Sequence, residues 1–142
     1  MKAIIVTGAR SFIGVGTVFK ALDEHAPELV IHGGARGADQ LADDWARRHQ
    51  VDTHVFQAKW GEWPLVNRKA GPERNQRMLE AYPGVPVFAF INPSAKGTWD
   101  CVRRAVQMKH QVVIRNERGK VIIYTPGDMY GGDEPVTEDV EL

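Results

Sequence analysis

Short apolar runs alternate with segments of helical periodicity along most of the chain, and this alternation constrains the fold more than any other feature. The run Lys2 to Thr7 (KAIIVT) is closed by Gly8 and favours a strand that is buried on both faces. A helix is predicted after it, followed by a second strand over Leu29 to His32. The helical spacing of apolar residues over Ala38 to Ala46 predicts the next helix.

The same alternation continues in the second half. Thr53 to Gln57 and Val85 to Ile91 are predicted strands, the second of them central, and Thr98 to Lys109 is a predicted helix. Gln111 to Arg115 and Lys120 to Tyr124, joined by NERG, predict a hairpin at the C-terminal edge of the sheet. The sequence therefore predicts an α/β fold with a mostly parallel sheet, helices on both faces and a closing hairpin.

Composition indicates one globular domain, which we expect over residues 1–124. Of the 142 residues, 43% are hydrophobic and 25% are charged, the balance of an ordinary folded protein. No apolar run approaches the roughly 20 residues of a membrane span, and the N-terminus lacks a signal-peptide pattern, so no membrane partner is expected. The single cysteine fits a reducing compartment, which predicts a cytoplasmic protein.

Charge is divided unevenly along the chain. All 18 Lys and Arg lie at or before Lys120, whereas six of the 18 acidic residues lie after it, which gives the body a net charge of about +6. The last stretch, residues 125–142 (TPGDMYGGDEPVTEDVEL), is rich in Gly, Pro and acid. This composition predicts a flexible acidic tail.

Three loops follow predicted strands and are rich in small residues: Gly8 to Ser11, Gly33 to Gly37, and Asn92 to Thr98. In doubly wound sheets, ligands bind beyond the carboxyl ends of the strands, where the strand order reverses. Each loop is expected to lead into the start of a helix, where backbone N–H groups and the helix dipole attract anions. The alternative for any one loop is a tight turn, since GGARG fits neither the dinucleotide fingerprint nor the phosphate loop.

Polar side chains in these loops strengthen the prediction of an anion site. Arg10, Arg36 and Lys96 can neutralise a phosphate, and Ser11 and Thr98 can donate hydroxyl hydrogen bonds. The three loops together therefore predict a phosphate-binding cleft.

The segment AGPERNQRM predicts a fourth element of the cleft. Pro72 suits the first turn of a helix, which places Arg74 near its start, and Asn75 can form two hydrogen bonds with a base edge. The alternative is that these are solvated helix residues. Trp60 and Trp63 in the preceding loop can stack on a base or fill an apolar gap.

Other reactive residues are assigned less specific roles. Asp39 lies in the first turn of its helix and can either cap that turn or accept a hydrogen bond from a ribose or a base. His32 is interpreted as structural and Cys101 as a packing residue. The five histidines show no ligand spacing, so no metal site is predicted.

The stretch GGARGADQLADDWA followed by AGPERNQRM resembles the YspA-type, YpsA-related branch of the SLOG superfamily, and VTGAR and KGTWDCVRRA support the resemblance. It spans about Lys2 to Arg115. The superfamily is Rossmann-like and includes the DNA-processing protein DprA (Smf) and the LOG nucleotide phosphoribohydrolases. The resemblance implies a doubly wound fold and a pocket for a nucleotide-derived ligand, either a mononucleotide or an ADP-ribose or NAD-like molecule. The predicted ligand-binding residues are Gly8, Arg10, Ser11, Gly33, Gly34, Arg36, Gly37, Asp39, Arg74, Asn75, Lys96, Gly97 and Thr98.

One departure from the superfamily bears on catalysis. LOG enzymes carry PGGxGTxxE, whose glutamate serves hydrolysis of the base–ribose bond, whereas this chain has PSAKGTWDC and places Cys101 at the glutamate position. Binding or sensing of the ligand is therefore the leading prediction. The first alternative is hydrolysis of an N-glycosidic or phosphate bond, with Asp39 or Asp100 as the acid/base group.

The second alternative is DNA binding, based on the basic body and the relation to DprA. The scattered positions of the basic residues argue against it. The sequence does not identify the ligand or the pathway, and it leaves a homo-oligomer as an open alternative.

Overall fold

A computed structural model of the chain describes residues 1–61 and 65–126. Strands and helices alternate in these residues, as predicted. In chain order the elements are β1 (Ala3–Gly8), α1 (Val15–His25), β2 (Leu29–His32), α2 (Ala38–Arg48), β3 (Asp52–Val55), α3 (Ala70–Ala81), β4 (Val87–Ile91), α4 (Lys96–Gln107), β5 (Val112–Asn116) and β6 (Val121–Tyr124).

The strands form one six-stranded sheet in the order β3-β2-β1-β4-β5-β6. Neighbouring strands from β3 to β5 are parallel, and β6 runs antiparallel to β5 as the C-terminal edge hairpin. The order runs outward from β1 in both directions. Right-handed crossovers therefore place α1 and α2 on one face and α3 and α4 on the other, and each of these pairs is in contact. The predicted doubly wound, Rossmann-like α/β fold is confirmed.

The core lies on both faces of the two central strands. Ile4, Ile5 and Val6 of β1 are fully buried, and every residue of β4 is buried, because helices cover both sides. The edge strand β3 differs, since its first three residues are exposed.

Most predicted strand ends lie within one residue of the observed ends, and the exceptions have local causes. β4 begins two residues late because Pro86 has no N–H to donate to the sheet. β3 ends two residues early because β2, with which it pairs, stops at His32. The predicted end of α4 at Lys109 is also wrong. The helix ends at Gln107, and Lys109 has a left-handed φ of 67° that a helix cannot include.

The described residues include no helix that is long and apolar enough to cross a membrane. The predicted tail lies outside the described residues except for Thr125 and Pro126, and Trp63 also lies outside them. The division into a domain over 1–124 and a tail over 125–142 stays a prediction.

Candidate functional site

A cavity of about 740 Å³, called the cleft below, opens beyond the carboxyl ends of β1 and β4, where the strand order reverses. Most of the predicted ligand-binding residues line it. They are Gly8, Arg10, Ser11, Arg36, Asp39, Arg74, Asn75, Lys96, Gly97 and Thr98. Gly33 and Gly34 line a smaller pocket of about 180 Å³ that shares several residues with the cleft. Gly37 lies in the lining of neither and acts through packing.

Two glycines allow α2 to approach β1. A Cβ on Gly8 would lie 2.3 Å from the Cβ of Ala38, the first residue of α2. Gly37 has a φ of 75°, and its Cβ would lie 2.2 Å from the carbonyl oxygen of Ala9. Both positions exclude larger side chains, so α2 packs closely against the end of β1 and the loop that follows it.

The loop after β2 is held by Asp39. Its Oδ2 accepts hydrogen bonds from the backbone N–H groups of Gly33 (3.1 Å) and Ala35 (3.2 Å). Of the two roles predicted for Asp39, the cap of its own helix is not formed, because the carboxylate turns back to the loop and α2 has no side-chain cap. Its Oδ1 is buried and has no hydrogen-bond partner.

His32 fixes the start of the same loop. Gly34 donates its N–H to Nδ1 of His32, so the ring carries its proton on Nε2 and donates it to Asp43 at 2.9 Å. Both ring nitrogens are used within the protein, which fits a structural histidine. The described residues contain no group of three His, Cys, Asp or Glu side chains that could hold a metal.

Arg74 and Asn75 connect three parts of the cleft. Arg74 donates from Nη1 to the carbonyl oxygen of Gly33 (2.6 Å) and from Nε to Oδ1 of Asn75 (2.9 Å). Asn75 donates from Nδ2 to the carbonyl oxygen of Gly97 (3.4 Å) and to Asp100 (3.0 Å). The amide of Asn75, predicted to read a base edge, therefore has both of its N–H donors engaged within the protein.

The two other loops reach the cleft differently from the prediction. α4 begins at Lys96, so Lys96, Gly97 and Thr98 form its first turn rather than a preceding loop. Ala95, before this turn, has no side-chain acceptor to cap it, which leaves backbone N–H groups for a ligand. The loop after β1 does not lead directly into a helix, since three residues separate Ser11 from α1.

Positive charge dominates the lining of the cleft. Four cations line it, Arg10, Arg36, Arg74 and Lys96, whereas Asp39 is the sole carboxylate among the described residues that do so. Burial raises the pKa of Asp39, and this effect outweighs the two N–H bonds and the charge of Arg74. The cleft therefore favours an anionic ligand.

The two predicted catalytic candidates are placed differently. Asp39 lines the cleft, whereas Asp100 lies outside its lining and accepts hydrogen bonds from Asn75 and from Arg104 (3.0 Å). Cys101 is fully buried, and burial raises the pKa of its thiol to about 12. Cys101 is therefore a packing residue, as predicted.

Several lining residues were not among the predicted ligand-binding positions. Thr7 lies at the end of β1, and Gly71 and Pro72 lie in the first turn of α3, so their positions at element ends were available signals. Trp60, considered only as a stacking residue, lines both cavities and is 40% exposed. The guanidinium of Arg10 lies over its ring at 5.4 Å.

Comparisons with known proteins agree with this architecture. A model of the YspA, cpYpsA-related SLOG family matches residues 2–63. The Gene 61 protein of Mycobacterium phage D29 is 36% identical over 115 residues, which are 74% of this chain and 89% of that protein. DNA processing protein A (DprA) from Streptococcus pneumoniae has a similar solved structure, with a TM-score of 0.58 and 14% identity over 80% of this chain. The chain spans half the length of DprA, and this likeness shows the fold.

Proposed function

Because the chain belongs to the YspA, cpYpsA-related SLOG family, we propose that its cleft binds a nucleotide or nucleotide-derived ligand through phosphate groups. One observation carries the proposal. Among the residues that the structure describes, four cationic side chains line a cavity at the reversal point of the sheet, against a single carboxylate that is itself bonded to backbone N–H groups. Ligands of doubly wound sheets bind at this position.

The residues of the cleft suit the parts of such a ligand. The first turn of α4 offers backbone N–H groups beside Lys96, which is the usual setting for a phosphate. The exposed ring of Trp60 offers an apolar surface for a base. The ligands predicted from the sequence, a mononucleotide or an ADP-ribose or NAD-like molecule, all carry these parts.

Calorimetric titration of the full chain tests the proposal. AMP, ADP, ADP-ribose and NAD form the panel, and adenosine is the control without phosphate. We expect at least one phosphorylated ligand to bind, about tenfold or more tightly than adenosine. Arg10→Ala weakens this binding, whereas Arg118→Ala, which removes an exposed arginine from the β5–β6 turn, leaves it unchanged. A folded protein that binds none of the panel, or binds adenosine equally well, overturns the proposal.

Cleavage of the bound ligand is a second candidate for the same cleft, and the unpaired Oδ1 of Asp39 at the cleft wall favours it. Chromatography of each bound ligand after incubation detects a free base or phosphate. If turnover occurs, Asp39→Asn abolishes it and Asp100→Asn does not, because Asp100 lies outside the lining. Turnover that survives Asp39→Asn contradicts this role.

A single strand of nucleic acid is a third candidate, because its phosphates have the same chemistry and DprA is by name a DNA processing protein. The exposed side chains of Arg10, Arg36 and Lys96 support it. A gel-shift with single-stranded DNA at low salt should then show a complex that weakens as salt rises. If no complex forms at low salt, binding of single-stranded nucleic acid is excluded.

A further inference from the structure

The smaller pocket beside the cleft carries an unusual set of charges. Its volume is about 180 Å³, and Arg10, Arg36 and Arg74 line it together with the backbone of the loop after β2. We call it the three-arginine pocket. No carboxylate is among its described lining residues. Three like charges around one small volume repel one another, so an anion would be bound there favourably.

Arg74 is held in place for such a role. Its Nε and Nη1 donate to Asn75, Gly33 and Phe56, which leaves the N–H groups of Nη2 without a partner in the described residues. A Cβ on Gly33 would lie 2.2 Å from Nη1 of Arg74, so only a glycine allows this close approach. A fixed guanidinium with unused donors is suited to binding phosphate.

Arg10, in the loop after β1, and Arg36, in the loop after β2, complete the pocket. Both side chains are exposed, and neither forms an ion pair in residues 1–61 and 65–126. Arg10 lies over Trp60, which lines both cavities. These cations are therefore available for a ligand.

The three-arginine pocket is separate from the start of α4. Lys96 lines the cleft and is not among the residues of the pocket. β2 and β4 lie on either side of β1, and neighbouring strands are about 4.8 Å apart, so the loops that follow them leave the sheet on the order of 10 Å apart. This separation exceeds that of neighbouring phosphorus atoms in a diphosphate.

We propose that the three-arginine pocket is a second anion subsite, and that the cleft takes a nucleotide ligand whose two phosphate groups are not neighbours in one diphosphate. One phosphate binds beside Lys96 and the other between the three arginines. Two ligand types have this chemistry: a nucleotide phosphorylated at two positions of its sugar, and a 5′-phosphorylated dinucleotide. The inference rests on the proposed function, since it concerns the same cleft.

Calorimetry of the full chain with four probes tests the inference. The probes are AMP, ADP, adenosine 3′,5′-bisphosphate and the dinucleotide pApA. The four corresponding guanosine compounds are titrated in parallel. We expect the bisphosphate or the dinucleotide to bind about tenfold more tightly than AMP and ADP. Whichever of the two binds more tightly identifies the source of the second phosphate.

Variants locate the two phosphates. Arg36→Ala and Lys96→Ala should each weaken binding of the two-phosphate ligand about tenfold, whereas only one of the two substitutions should weaken binding of AMP. Arg118→Ala is the matched control and should change neither affinity by more than about twofold. If AMP or ADP binds as tightly as both two-phosphate probes, or if Arg36→Ala has no effect on them, the inference is wrong while the proposed function stands. If no nucleotide binds, both are wrong.

Discussion

Nη1 of Arg74 donates a hydrogen bond of 2.6 Å to the carbonyl oxygen of Gly33, and thereby ties α3 to the loop after β2, 41 residues earlier in the chain. The same guanidinium binds Asn75, which in turn binds the first turn of α4 at Gly97. The cleft is therefore a connected unit, in which one arginine positions parts that come from three separate segments.

Removing this arginine should affect both stability and binding. Arg74→Ala leaves the carbonyl of Gly33 and the amide oxygen of Asn75 without their partner, and we expect a loss of about 2 kcal/mol in the free energy of unfolding. Urea denaturation measures it. Arg77→Ala, one turn later on the same helix, removes one exposed hydrogen bond to Gln57 and should cost at most about 1 kcal/mol. Equal losses for the two variants would contradict the connecting role of Arg74.

Two glycines with nearly the same φ offer a matched test of how closely α2 packs against the loop after β1. Gly37 and Gly84 have φ values of 75° and 74°, but a Cβ on Gly37 would lie 2.2 Å from the carbonyl oxygen of Ala9, whereas one on Gly84 meets nothing within 4 Å. We expect Gly84→Ala to cost about 1 kcal/mol, from the left-handed conformation alone. Gly37→Ala should cost about 3 kcal/mol or more, because the clash adds to it. Similar melting temperatures for the two variants would contradict the close packing of Gly37 against the carbonyl oxygen of Ala9.

The carboxyl of Asp39 should make stability depend on pH. Its pKa is raised from 3.8 by burial, so the folded state holds the proton more tightly than the unfolded state. The resulting stabilisation is fully present below the unfolded pKa and is lost as pH rises through the folded pKa. Asp39→Asn lacks this dependence and keeps an oxygen for the two backbone N–H groups. Its melting temperature relative to that of the parent should therefore increase with pH.

Asp44→Asn provides the control for this measurement, because it removes a carboxylate from the same helix at a half-buried position, where Asp44 accepts a hydrogen bond from Gln40. The pH dependence of the melting-temperature difference should be larger for Asp39→Asn than for this control. A constant difference for Asp39→Asn would mean that the pKa of Asp39 is not raised by folding.

The thiol of Cys101 should be unreactive in the native protein. Burial raises its pKa to about 12, so the nucleophilic thiolate is scarce at pH 8, and the side chain is fully covered. A chromogenic disulfide reagent should label it only after denaturant is added. Rapid labelling of the native protein would contradict its assignment as a packing residue.

The fold could be predicted from the sequence because the pattern of apolar runs and helical segments leaves few topologies. A buried run such as Val87 to Ile91 identifies a central strand, and the right-handed crossover rule then limits the arrangement. The errors were local. Strand and helix ends depend on the length of a partner strand, as at Val55, or on one backbone angle, as at Lys109.

The site could be predicted as a set of residues but not as a set of contacts. Loops at the carboxyl ends of the strands must meet, so the grouping of Gly8, Arg36 and Lys96 followed from topology. The hydrogen bonds of Asp39 and Asn75 could not be predicted from the topology, because each depends on the direction in which a buried side chain turns. Asn75 binds groups 22 and 25 residues away, and no local pattern in the sequence encodes those partners.

Binding of a phosphorylated nucleotide in the cleft can be tested by locating the ligand on the protein. Amide shifts in the ¹H–¹⁵N spectrum of the labelled full chain, titrated with AMP and with ADP-ribose, report binding residue by residue. If the ligand binds in the cleft, the largest shifts fall at Gly8–Ser11, Gly33–Gly37 and Lys96–Thr98. Saturable shifts elsewhere, for instance along Val121–Tyr124 of the edge strand, or no shifts with either ligand, would contradict binding in the cleft.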